Sequence, residues 1–297
     1  MKTKIRELLN QRKAIILAHN YQPPAIQDIA DICGDSLELS IRAAQTEADV
    51  IVFCGVHFMA ETASILCPDK MVLLPRQNAG CPMADMISAE ALSARKAELP
   101  GVPVVTYVNS PASVKALSTV CCTSANAIKV ATSLNATEIL MTPDRNLARF
   151  VESRTSIKIH TWPGFCPIHD AIRRKDVVHA RQKHPQAVFM AHPECRMEVL
   201  TLADEILSTS GMLRYAKSSR HSAFIVGTEV GLLYTLRKEN PDKRFYPVSA
   251  GMECPDMKKI GLADIVHVLE TLEGEVRVPK AVQEPAYEAV KRMIELA

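Results

Sequence analysis

Cys81-Pro82, Cys166-Pro167 and Cys254-Pro255 recur 85 and 88 positions apart, a rhythm that random placement of 9 Cys and 18 Pro does not produce. The chain thus delivers one thiol per interval. Three thiolates can bind a tetrahedral zinc with an open fourth position, or an iron-sulfur cluster with one iron left free. Structural zinc sites usually take two ligands from one C-x-x-C knuckle, which this chain lacks, and one cysteine from each of three units suits a larger cubane better. Spacing alone leaves both open. A fourth pair, Cys67-Pro68, stands outside the rhythm, and with Cys33, Cys54, Cys121, Cys122 and Cys195 it reads as a buried apolar thiol.

Histidines and an acid cluster near the same points of the repeat: His19, His169 three residues after Cys166, and His192-Pro193-Glu194. A single histidine at a strand end is ordinarily a satisfied structural group. His19 and His192, however, occupy equivalent ends of two repeats. Ser36, Ser124 and Thr209 each open a helical stretch, where the ordinary role of a hydroxyl is N-capping. Helix starts converging on one axis would instead suit a small substrate carrying several carboxylates or a phosphate. Phosphate-loop and dinucleotide fingerprints (G-x-x-x-x-G-K-[ST] and G-x-G-x-x-G) are absent, so neither a nucleotide nor a nicotinamide cofactor is indicated.

The elements that must position these residues also repeat. The β-rich runs Ile15–His19, Val104–Tyr107 and Val188–His192 each precede a hydroxyl cluster and a helical pattern. A second run follows in every copy (50–53, 139–141, 224–226), then a helix, then a last strand-like run (71–75, 157–162, 244–248) ahead of the cysteine. Short continuous apolar runs alternating with longer helices indicate parallel sheets covered on both faces. The expected architecture is α/β: three similar doubly wound αβα units in pseudo-threefold symmetry around a central site. Their boundaries fall at 1–82, 83–167 and 168–257. The remaining 258–297 should supply a helix (GLADIVHVLETLE), a strand (EVRVP) and a helix from about 284 to 296, packing back onto the first unit.

With 47% hydrophobic and 23% charged residues, the composition is that of a soluble globular chain. Net charge is +2, and the one basic run, Arg173-Arg174-Lys175, reads as a solvated helix face, so no nucleic-acid partner is expected. No signal-peptide pattern or long apolar run is evident, which points away from a membrane. Nine unexported cysteines fit reduced thiols or metal ligation, and hence a cytoplasmic location.

In order along the chain, AHNYQ (18–22), GDS (34–36), FMAET (58–62), GCPMA (80–84), YVNS (107–110), TSANA (123–127), GFCPIH (164–169), HPEC (192–195), STSGM (208–212), GTE (227–229) and CPDMKK (254–259) resemble the quinolinate synthase family of NAD biosynthesis. The resemblance covers about residues 14 to 260. It implies a three-domain α/β fold with a 4Fe-4S cluster on Cys81, Cys166 and Cys254, the fourth iron being open. The family's reaction condenses iminoaspartate with dihydroxyacetone phosphate to quinolinate, releasing phosphate and two waters. It also brings transient contact with the enzyme supplying iminoaspartate. On that reading Glu194 transfers protons, Tyr21 and Tyr107 steady oxyanions, and His19 and His192 share in the chemistry. His19, Ser36, Tyr107, Asn109, Ser124, His169, His192, Glu194 and Thr209 line the substrate pocket. Two competitors are a zinc hydrolase with Cys/His ligands and a non-enzymatic iron-sulfur sensor, the latter needing Cys67 or Cys195 as a fourth ligand.

Overall fold

The computed structural model describes residues 1–297. Twelve strands form three separate four-stranded sheets, parallel throughout. The first contains β1 (Ala14–His19), β2 (Ile32–Gly34), β3 (Val50–Cys54) and β4 (Met71–Leu73). The second contains β5 (Val104–Tyr107), β6 (Val120–Cys122), β7 (Glu138–Thr142) and β8 (Lys158–Thr161). The third contains β9 (Val188–Ala191), β10 (Glu205–Ile206), β11 (Ala223–Gly227) and β12 (Arg244–Pro247). Strand order is the same in all three: β2-β1-β3-β4, β6-β5-β7-β8 and β10-β9-β11-β12. In each sheet the strand order therefore reverses between the first and third strands, and that switch point opens a crevice at the carboxyl ends.

Burial explains why the central strands read as unbroken apolar runs. All of Val50–Cys54, Val104–Tyr107 and Val188–Ala191 is buried, so both faces of each sheet carry helices and no residue alternates to solvent. Two of the three helices that follow the first strand pair are started by a side-chain cap. The third, Ala127–Ser133, has none and begins three residues beyond Ser124, which therefore does not open a helix as its position suggested. Asp35 accepts from the N–H groups of Leu37 and Glu38 to start Ser36–Gln45, and Ser208 Oγ accepts from Gly211 N–H to start Thr209–Ser218. The capping side chains are thus the residues before Ser36 and Thr209. Those two hydroxyls are not spent on the helix.

The same three backbone bonds tie each cysteine turn to its sheet. The N–H groups of His57, Arg145 and Val230 donate to the carbonyls of Ala79, Gly164 and Met252, at 2.8, 2.9 and 2.9 Å. Each acceptor lies two residues before a Cys-Pro pair.

At the C-terminus, helix Leu262–Thr271 packs on helix Lys2–Arg12, where Arg12 donates from Nε and Nη2 to the carbonyls of Leu269 and Glu270, both 3.0 Å. Helix Lys280–Glu295 lies against His57–Leu66 of the first unit and also against β6 and Ala112–Lys115 of the second, with Asn126 Nδ2 donating to Met293 O. The terminal segment therefore seams two units together. The strand expected at EVRVP is reduced to a single antiparallel bridge between Glu275 and Leu73, because β4 is only three residues long and offers no further edge. The last helix starts at Lys280, four residues earlier than its sequence pattern suggested.

Candidate active site

The carboxyl ends of the three sheets surround one cavity of about 250 Å³. His19, Tyr107 and His192 stand at equivalent strand ends, and Tyr21, Asn109 and Glu194 follow each by two residues. Ser36, Ser124 and Thr209 come from the crossover segments, and Cys81, Cys166 and Cys254 from the turns that close each unit. Every residue singled out from the sequence lines this cavity. The spectator cysteines do not, and Cys67 and Cys195 donate instead to the carbonyls of Ala43 and Gly227.

One of the three Cys-Pro pairs has a plain physical reason in its turn. Cys166 sits at the N-cap of Pro167–Asp170, and proline at the first helical position gives up an N–H that has no partner there. Cys67 occupies the opposite place, capping the C-terminus of His57–Leu66. Burial pushes the Cys81 thiol up to about 12, against the pull of the Ala84 and Met83 N–H groups. Burial raises Cys166 and Cys254 likewise, opposed by the N–H groups of His169 and of Met257 and Asp256 respectively. In all three turns the N–H three residues ahead favours the thiolate. Such thiols stay protonated until a cation replaces the proton.

Beside them lies a buried polar chain. Tyr21 Oη and Thr228 Oγ1 are 2.5 Å apart, Thr228 Oγ1 is 2.9 Å from His169 Nε2, and His169 Nδ1 is 3.0 Å from Glu194 Oε2. The same oxygen is 3.1 Å from His192 Nδ1, and the two imidazoles stack at 4.6 Å. Cys166 Sγ joins the group, 3.2 Å from His169 Nδ1. Burial alone would raise the Glu194 carboxyl, but the two imidazoles outweigh it and hold the group ionised. Its other oxygen, Oε1, is buried without a partner, as is Oδ1 of Asn109. A buried acceptor in that state calls for a donor from a ligand or water.

His19 Nδ1 accepts from Tyr21 N–H at 3.2 Å. The equivalent His192 Nδ1 lies 3.4 Å from Glu194 N but 3.1 Å from the ionised Glu194 Oε2, to which it donates, so the local geometry recurs while the hydrogen bond does not. Burial lowers His19 to about 4, so it is neutral near pH 7. Burial, followed by the charge of Glu194, raises the Tyr21 and Tyr107 phenols well above their ordinary value, so both remain donors.

Thr228, Asp144 and Glu229 were not anticipated as site residues. Thr228 links Tyr21 to His169; Asp144 Oδ2 accepts the Cys166 N–H at 3.2 Å and Glu229 Oε1 the Cys254 N–H at 3.1 Å. The GTE motif at 227–229 contains Thr228 and Glu229, but nothing in the letters distinguishes a bridging threonine from a surface one.

Three like α/β units closing over one chamber of thiols, imidazoles and an ionised carboxylate define an enzyme built on internal triplication, with a donor group suited to metal. Cys166, His169 and Glu194 alone bring their donor atoms within 4.8 Å of one another. A family model described as "Quinolinate synthetase A protein" matches residues 3–295. The quinolinate synthase of Geotalea uraniireducens is 53% identical over 294 residues, 99% of this chain and 97% of the relative. Those of Dehalococcoides mccartyi and Methanosarcina barkeri are each 54% identical over 291 residues, 98% of this chain and 96% of each relative. The chain belongs to the quinolinate synthetase A family.

No helix is long and apolar enough to cross a membrane.

Proposed function

We propose that this chain makes quinolinate from iminoaspartate and dihydroxyacetone phosphate, releasing phosphate and two waters, with a 4Fe-4S cluster held by Cys81, Cys166 and Cys254. The carrying observation is the meeting of three Cys-Pro turns, one from each unit, at the cavity that holds Glu194 and its two imidazoles. The donor set fits the cluster. All three thiols are half-buried, and each faces backbone N–H groups of its own turn. One cysteine from each of three units, with no C-x-x-C knuckle, favours a larger inorganic centre over a single zinc.

Substrate and product atoms balance without an oxidant or reductant, so the work required is condensation, proton transfer and dehydration. When bound, a cluster with one iron free of protein ligands supplies a Lewis acid for oxygen groups.

The protein's own groups supply the rest. Glu194, ionised between His169 and His192, holds both imidazoles in place and stabilises whichever takes up a proton. Thr228 carries that hydrogen-bond chain to the Tyr21 phenol, which donates to a developing oxyanion, as Tyr107 does from the second unit. Neutral His19, together with Asn109 Oδ1, binds uncharged donors and acceptors of the substrate. Ser36 and Thr209 open helices of ten residues, whose positive ends favour carboxylate or phosphate, and Ser124 adds a third hydroxyl. No lysine or arginine lines the cavity, so anion binding rests on these helix starts.

An anaerobic assay with dihydroxyacetone phosphate and enzymatically generated iminoaspartate tests the reading. Quinolinate should accumulate in proportion to iron-loaded protein. A colourless protein active in hydrolysis, or a brown one that forms no quinolinate, would overturn it. The location consistent with this role is the cytoplasm, and iminoaspartate would arrive from the enzyme that makes it through a transient contact.

A further inference from the structure

The three cysteine turns are built alike, but they are not anchored alike. In the second unit Asp144 takes the Cys166 N–H, and in the third Glu229 takes the Cys254 N–H. Both acids immediately precede the residues, Arg145 and Val230, whose N–H groups bind their turns. The equivalent residue before His57 is Val56, buried and without an acceptor to offer. The first unit's turn is reached from outside instead. Asp256, on the turn of Cys254, accepts the Gly80 N–H at 3.2 Å through Oδ1. That oxygen is also 2.6 Å from Lys259 Nζ, which donates at 2.6 Å to the carbonyl of Asn78. One ion pair, between Asp256 at the end of the third unit and Lys259 just beyond it, thus grips the chain on the N-terminal side of Cys81 at two points.

We propose that Asp256 and Lys259 are positioning residues for Cys81, so that the first unit's thiolate is set in place by the third unit's turn while Cys166 and Cys254 are set by acids of their own units. The inference rests on the assignment of these three cysteines as cluster ligands. It makes coordination at Cys81 dependent on the contact between the first and third units. Loosening that contact should release Cys81 first.

The test is anaerobic alkylation of iron-loaded protein by iodoacetamide, each cysteine being followed by mass spectrometry. In Asp256→Ala, Cys81 should react about tenfold faster than in the parent, the size of one lost charge-assisted hydrogen bond, with Cys166 and Cys254 changing little. Asp256→Asn keeps an oxygen toward Gly80 but loses the charge that pairs with Lys259, and should fall between the parent and Asp256→Ala. Lys259→Met removes a partly exposed side chain and should give the same selective exposure of Cys81, which keeps the idea testable if Asp256→Ala does not fold. Unchanged protection of Cys81 in both Asp256→Ala and Lys259→Met, or equal acceleration at all three cysteines, would overturn the inference and leave the ligand assignment standing. Alkylation of all three in the parent at the rate of metal-free protein would instead remove the ligand assignment itself.

Discussion

The Glu194 carboxylate stands 3.0 Å from Nδ1 of His169, and its second oxygen is buried with nothing to accept from. A base in that setting is held ionised and aimed, with its basicity spread over two imidazoles. Glu194→Gln keeps the shape and removes the charge. Turnover should fall by about 10² to 10⁴, the usual range for a lost acid–base group, while iron content stays at the parent level. Anaerobic kinetics with iron analysis check both, and near-parent turnover would take Glu194 out of the chemistry.

Thr228 bridges Tyr21 and His169, each of which is buried. Replacing it by Val leaves two polar groups without that partner, at about 1–3 kcal/mol of stability and roughly a tenfold loss in kcat. Thr228→Ser should restore both. If Val and Ser variants behave alike in kcat and in urea denaturation, the hydroxyl bridge is idle.

Gly231 sits where the first and third units touch. A Cβ there would meet Tyr21 O at 2.6 Å and both Glu229 Oε2 and Lys258 Nζ at 2.8 Å, which are backbone and paired groups with little room to move. Gly231→Ala should cost about 1–3 kcal/mol in thermal unfolding, as overpacking does. Gly251→Ala has open space around it and should fall within about 0.5 kcal/mol of the parent.

His19 has an acid-side signature. Its folded pKa lies at about 4 because of burial, partly opposed by the charge of Asp35, against 6.5 in the unfolded chain. Between those values the unfolded state binds more protons, so stability falls as pH drops from 6.5 toward 4 and is flat in this respect above. The contribution is about 3 kcal/mol across the window. Urea denaturation of the metal-free protein should show a shallower acid slope in His19→Asn; an unchanged slope would contradict the shift.

The long central strands were legible because both of their faces are buried, and the apolar letters of Val50–Cys54 and Phe224–Val226 have no other use. The edge strands β2, β6 and β10, of two or three residues, stand in no longer apolar run, whereas the equally short β4 is legible because its apolar letters continue through Leu74. The cavity could be read from repetition, since triplicated spacing forces equivalent positions toward one axis. Cys67 could be set aside by rhythm, and its place at a helix C-terminus gives the physical reason. Asp144 and Glu229 are not legible as site residues, because neither belongs to the repeated pattern of cysteines and hydroxyls. Their role as acceptors for a distant N–H depends on a fold-level approach across 22 and 25 positions of chain.

Iron and acid-labile sulfide, counted per chain after anaerobic reconstitution, test the central claim most directly. The parent and Cys67→Ser should each carry about four of both. Cys81→Ser, Cys166→Ser and Cys254→Ser should each lose most of the iron. Full loading of any of those three, or loss of the cluster from Cys67→Ser, would contradict the account.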